Sequence, residues 1–146
     1  MFSASYASSS SRGQQFASTY HQVGTQTMVA GASAHRLVAM LFDGFVAAVH
    51  RARGAMRSRD VEAKGRAIGH AARIVDEGLR AALNLDAGGR LAVDLNDLYG
   101  YVGKRLTQAH LQNDEAALDE CLHLMQPLRD AWTAIGATVD DGARRN

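Results

Sequence analysis

Apolar residues return at helical spacing over most of the chain. From residue 34 the stripe Val38, Leu41, Phe45, Val49, Ala52, Met56 advances in steps of three and four, which places one face of a helix against a core. It predicts a first helix over 34–58, with Ser33 as its N-cap. A second helix is expected over 61–85, capped by Asp60, with Ala67, Ala71, Ile74, Gly78, Ala82 and Leu85 on one face. Asp86-Ala87-Gly88-Gly89 is a turn signal. A third helix follows over 90–112, on the stripe Leu95, Leu98, Val102, Leu106, Ala109. Asn113 and Asp114 break it, and either could cap what comes next. A fourth helix is expected over 115–138, on Leu118, Cys121 or Leu122, Met125, Leu128, Trp132 and Ile135, with a kink near Leu124 because Pro127 lies inside it. Four helices joined by short loops predict an all-α protein, an antiparallel four-helix bundle.

The flanks are different. Residues 1–15 are Ser-rich and read as a disordered tail, since they carry too little apolar surface to offset ordering entropy. Residues 16–33 are uncharged but hold Phe16, Tyr20, Val23, Met28 and Val29, which suggests an arm or one short helix packed on the bundle. The single domain thus spans 16–138, and 139–146 read as a second disordered tail.

Composition supports this outline. Of 146 residues, 26 are Ala, 14 are Leu and one is Pro, a mixture that favours helices over turn-linked strands. The net charge is +1, unlike a strongly basic nucleic-acid binder. No signal peptide or membrane span is legible, so a cytoplasmic protein is expected. Charge is uneven: residues 34–59 carry five Arg and one Asp, whereas 114–146 carry three Arg and seven acids. Arg66, Arg73 and Arg80 repeat every seven residues with Glu62 and Glu77 one turn away, and pairing along that face is expected.

Candidate chemistry is sparse. Gly100-Tyr-Val-Gly103-Lys104 lacks the first half of a phosphate loop and falls within a helix. Glu120-Cys-Leu-His123 matches the Glu-x-x-His of di-metal bundles once, without the second copy such a site needs. Cys121 sits in core register, and the histidines have no nucleophile with an orienting third group. No catalytic residue, cofactor or metal is therefore expected. The apolar excess is more informative. Leu37, Val38, Leu41, Phe42, Phe45, Val46 and Val49 cover more than one stripe, as do Ile68, Val75 and Leu79 beside the second-helix face. Tyr99 and Tyr101 lie about 200° apart on a helix, so one of them faces away from the core. Such surplus is buried either in a thick core or in a groove that receives another helix.

The order and spacing of several segments resemble the flagellar secretion chaperone (FliS) family. These are Thr19-Tyr20-His-Gln-Val23, Ala32-Ser-Ala-His-Arg-Leu37, Met40-Leu-Phe-Asp-Gly44, Arg59-Asp60-Val-Glu-Ala-Lys64, Ala71-Ala-Arg-Ile-Val-Asp-Glu-Gly-Leu79, Gly88-Gly-Arg-Leu-Ala92, Asp94-Leu-Asn-Asp-Leu-Tyr99-Gly-Tyr101, Arg105-Leu-Thr-Gln-Ala109 and Leu128-Arg-Asp-Ala-Trp132. The resemblance implies a helical bundle with a short N-terminal segment against it, and no enzymatic activity. It implies a protein that binds the disordered C-terminal segment of flagellin, prevents premature polymerisation and, once loaded, meets the cytoplasmic platform of the type III export gate. It also implies that the arm around Tyr20 occupies a groove and moves when flagellin arrives. The partner-binding residues expected on that basis are Tyr20 and Val23 in the arm, and Leu41, Phe42, Asp43, Leu98, Tyr99 and Tyr101 on the bundle. An adaptor for another flagellar component, using the same groove, is the alternative. Arm exchange between copies would give a homodimer. Neither nucleic acid nor membrane insertion is expected.

Overall fold

The computed structural model describes residue 13, residues 15–20 and residues 33–145, with side chains as far as residue 136. Helix α1 spans Ala34–Arg57, α2 Val61–Arg73, α3 Gly89–Gln112 and α4 Glu115–Arg145. A π-helical segment, Ile74–Arg80, continues α2.

The helix starts follow from side-chain caps. Ser33 accepts the N–H of Arg36 at 3.1 Å, and Asp60 accepts that of Ala63 at 3.0 Å, each satisfying an otherwise orphaned donor. Asn113 and Asp114 divide their work. Asn113 takes the left-handed conformation (φ 51°) that ends α3. Asp114 accepts the N–H of Ala117 at 3.3 Å at the start of α4.

Neighbouring helices run antiparallel, as cross-helix pairs show. Leu41 and Gly44 of α1 lie against Gly78 and Ile74. Lys64 reaches His110, and Arg80 reaches Asn96. Cys121 of α4 faces Val102 of α3. Arg57, Asp43 and His35 of α1 meet Glu115, Arg129 and Trp132 of α4. The core between them holds Phe42, Phe45, Val49, Leu79, Val102, Leu106, Leu118 and Met125, all fully buried.

Two expectations change. First, the second stripe was misplaced. The buried residues are Ala67, Ile68, Ala71, Val75, Leu79 and Leu83, while Leu85 is half exposed. In the π segment the N–H of Ala81 bonds the carbonyl of Asp76 five residues back, at 3.1 Å. That widened turn keeps residues four apart in line, so the core follows 71, 75, 79 and 83 rather than the α-helical register. Second, α4 continues to Arg145, where a tail from residue 139 was expected to be disordered. Propagating an established helix costs little per residue. Pro127 lies inside α4 and is exposed, so the hydrogen bond it forfeits is on the solvent side, where water can replace it. The Ser-rich residues 1–12 lie outside the described residues.

Candidate functional site

The most distinctive side-chain assembly lies where α1 begins, the π segment ends and α3 begins. Trp132 of α4 is its centre. Phe16 meets the indole edge-on with ring centroids 4.9 Å apart, and Tyr20 does so at 5.3 Å. Phe42 lies tilted at 6.5 Å, and the His35 imidazole is stacked at 4.7 Å with an interplanar angle of 3°. These geometries place positive ring edges over negative faces or offset the stacks, which adds to area burial. His35 and Trp132 also lock each other's backbones. The indole N–H donates to the His35 carbonyl at 2.9 Å, and His35 Nε2 donates to the Trp132 carbonyl at 2.7 Å. Only glycine fits beside this lock: a Cβ at Gly136 would lie 2.0 Å from the imidazole.

Residues 15–20 are the described part of the arm. Residues 15–18 form one helical turn, and the Thr19 hydroxyl donates to the Phe16 carbonyl at 2.6 Å. The Asn84 N–H donates to the Thr19 carbonyl at 2.7 Å, and Tyr20 pairs with Leu83 as an isolated antiparallel bridge. Gly88 lets the arm pass, since a Cβ there would be 3.2 Å from Thr19 Cα and 2.5 Å from the Asn84 carbonyl oxygen. The Tyr20 and Tyr99 hydroxyls are hydrogen-bonded to each other inside the bundle. Burial pushes the Tyr20 hydroxyl up to about 12, against the opposing effect of its bond to Tyr99. Tyr99 is raised too, by burial first and then by Tyr20. Both phenols are therefore neutral at physiological pH. Beside Phe16, a cleft of about 460 Å³ runs between α3 and α4, with Leu91, Leu95, Leu128 and Ala131 as its apolar wall.

The expected partner-binding residues are dispersed by the structure. Tyr20, Phe42 and Tyr99 converge at the Trp132 assembly. Leu41 and Leu98 are half-buried at the edge of the core, with Leu41 pressed on Gly78. Asp43 points outward and meets Arg129 at 3.8 Å, which answers how a carboxylate stands in an apolar run. Tyr101 is the exposed member of the tyrosine pair and donates to Glu120, which also accepts from Arg105 at 3.0 Å. Those contacts occupy the one Glu-x-x-His carboxylate, and among the described residues no His, Cys, Asp and Glu cluster could hold a metal. Val23 lies outside the described residues. Cys121 is buried, and burial pushes its thiol up to about 12, so the nucleophilic thiolate is disfavoured. Sequence reasoning put Trp132 in core register, where it is buried, and named Phe16 only as an apolar arm residue; it did not single out Phe16 or His35 as members of a site. The signal available was an aromatic residue four positions before Tyr20, on the same face of a helical turn. No helix among the described residues is long and apolar enough to cross a membrane.

A helical bundle whose aromatic end is covered by its own N-terminal segment is the class these features define. The family model for the flagellar protein FliS matches residues 16–139, from the first arm aromatic to beyond Trp132. The chain is 43% identical over 116 residues to the flagellar secretion chaperone FliS of Salmonella typhimurium, covering 80% of this chain and 86% of that one. It is 39% identical to FliSB of Pseudomonas aeruginosa, covering 80% and 91%, and 31% identical to FliS of Bacillus subtilis, covering 73% and 78%. The chain belongs to the FliS family of flagellar secretion chaperones.

Proposed function

We propose that this chain is an export chaperone for flagellin. It binds the disordered C-terminal segment of flagellin in the cytoplasm, keeps it from polymerising early and delivers it to the flagellar type III export apparatus. The observation that carries this reading is the arm, an apolar segment outside the four helices that covers aromatic side chains of α1 and α4 with rings and hydrogen bonds of a kind another apolar segment can supply. A client segment presenting apolar residues on one helical face replaces the arm on Trp132 and Phe42, extending along the cleft beside Leu91 and Leu128.

Energetics make such exchange reversible. The client is ordered as it binds, and that entropy cost is subtracted from the burial of its apolar face. The arm adds a second subtraction. If it holds the site closed by about 2 kcal/mol, the site is open roughly 3% of the time and apparent affinity falls about 30-fold. Loading and release then need only mass action and a competing partner.

Calorimetry with a flagellin C-terminal peptide tests the reading. Saturable binding with a negative heat-capacity change is expected, tightened in a variant carrying Phe16→Ala and Tyr20→Ala, which frees the site. Amide exchange adds a local readout: the Asn84 N–H, bonded to Thr19 in the free protein, loses protection on loading. Absence of binding at tens of micromolar peptide, in both forms, overturns the proposal.

A further inference from the structure

A second concave surface lies away from the arm. A cleft of about 480 Å³ opens between α1 and α2, lined by Arg51 of α1 and by Arg66, His70 and Arg73 of α2, over a floor of Ala63, Gly65 and Ala67. No carboxylate lines it. The expected pairing along this face is not made. Arg80 bonds Asp76 and Asn96, but Arg51, Arg66 and Arg73 have neither a hydrogen bond nor an ion pair among the described residues. Elsewhere Arg53 meets Asp119, Arg57 meets Glu115, Arg105 meets Glu120 and Arg129 meets Asp43, while Arg36 and Arg59 stand singly, without a side-chain partner among the described residues. Three unpaired guanidinium groups thus share one cleft of a protein whose net charge is only +1.

We propose that this cleft docks an acidic polypeptide segment of a protein partner, at a site separate from the one the arm covers. Three features select that occupant. Guanidinium forks match carboxylates in bidentate geometry and shed water more readily than ammonium groups do. Arg66 and Arg73 are seven residues apart, about 10.5 Å along α2, close to the roughly 9.3 Å advance of one three-residue turn of a polyproline II segment, which returns every third side chain to the same face. An acidic residue at every third position of such a segment therefore meets both, with Arg51 across the cleft. The small-residue floor admits a polypeptide backbone closely, whereas a flat lipid surface would touch only the rims. Position separates the two sites at the Arg51 end. Arg51 is sixteen residues, about 24 Å along α1, from His35 of the aromatic assembly, whereas Arg73 also lines a neighbouring cavity that reaches Tyr99, so a chaperone with its client site filled still presents the Arg51 and Arg66 end of the cleft.

The test uses the full chain and a labelled peptide with Glu at every third position, followed by fluorescence anisotropy at low and high salt. Saturable binding is expected that weakens with salt and falls about fivefold in Arg66→Gln/Arg73→Gln, the effect of losing two exposed ion pairs. Arg51→Gln is expected to weaken it by a smaller factor. All three side chains are exposed, so the variants should melt with the parent and bind a flagellin peptide unchanged. Equal affinity for parent and double variant, or for a peptide with Gln in place of Glu, overturns the proposal. So does tighter binding of a single-stranded oligonucleotide or an anionic vesicle through the same arginines.

Discussion

The two ends of the bundle are closed by different means. At one end, the α1–α2 and α3–α4 turns are covalently continuous with the helices they join. Lys64 fastens them together: it is buried, and its ammonium donates to the His110 carbonyl at 3.0 Å and to the Asn113 side chain. A cation at the C-terminus of α3 also opposes the negative end of that helix dipole. At the other end the closure is a segment distant in sequence, seated on Trp132 and tied to the bundle by the Thr19–Asn84 bond and the Tyr20–Tyr99 hydroxyl pair. Both ends are packed, but they differ in what must break to open them. Opening the first breaks the turns that join the helices. Opening the second breaks, among the described residues, the ring contacts of Phe16 and Tyr20 and the Thr19–Asn84 and Tyr20–Tyr99 hydrogen bonds. Under the proposed function, this second closure is the one exchanged for a client.

The comparison can be broken most severely at Trp132, because that ring belongs both to the helical core and to the arm's seat. Trp132→Ala should destabilise the whole protein by about 3–5 kcal/mol in chemical denaturation, and arm protection should vanish with it. Lys64→Ala tests the permanent end. It strips the His110 carbonyl and Asn113 of a donor, so a global loss of about 2 kcal/mol is expected, with the exchange of arm-bonded Asn84 unchanged relative to the globally exchanging core amides. The opposite pattern sharpens the contrast at the tyrosine pair. Tyr20→Phe or Tyr99→Phe leaves one buried hydroxyl without its partner and should cost about 1–2 kcal/mol. Tyr20→Phe should act mainly on arm protection, and the double variant should recover part of the loss, giving a measurable coupling.

The same pair sets an alkaline limit. The unfolded chain loses its phenolic protons near pH 10, whereas Tyr20 in place retains its proton to about 12. Above pH 10 the open state therefore binds fewer protons than the closed one, and stability falls as pH rises. Arm docking is thus fully present below pH 10 and should be lost between about 10 and 12, with tyrosinate absorbance and Asn84 exchange rising together. In Tyr20→Phe/Tyr99→Phe that linked transition should be absent.

Local signals made much of this molecule legible. Three stripes at helical spacing, the Ser33 and Asp60 caps and the Asn113-Asp114 break place the helices within a residue or two at most ends, because each depends on neighbours less than two turns away. The antisymmetry of Tyr99 and Tyr101 was legible as well, being fixed by helix geometry alone. The tertiary structure decided the rest. It chose the Val75, Leu79 and Leu83 face of the second helix by widening a turn to i→i+5 bonds, a register that no α-helical periodicity anticipates. It set Phe16, Tyr20 and Trp132 together across more than a hundred residues of chain, and turned Asp43 to Arg129. It left Arg66 and Arg73 without the carboxylates their spacing offered. Periodicity reports which side of an element is apolar. Which neighbour covers that side depends on packing between segments remote in sequence, and the arm's seat, like the basic cleft, is built from such neighbours.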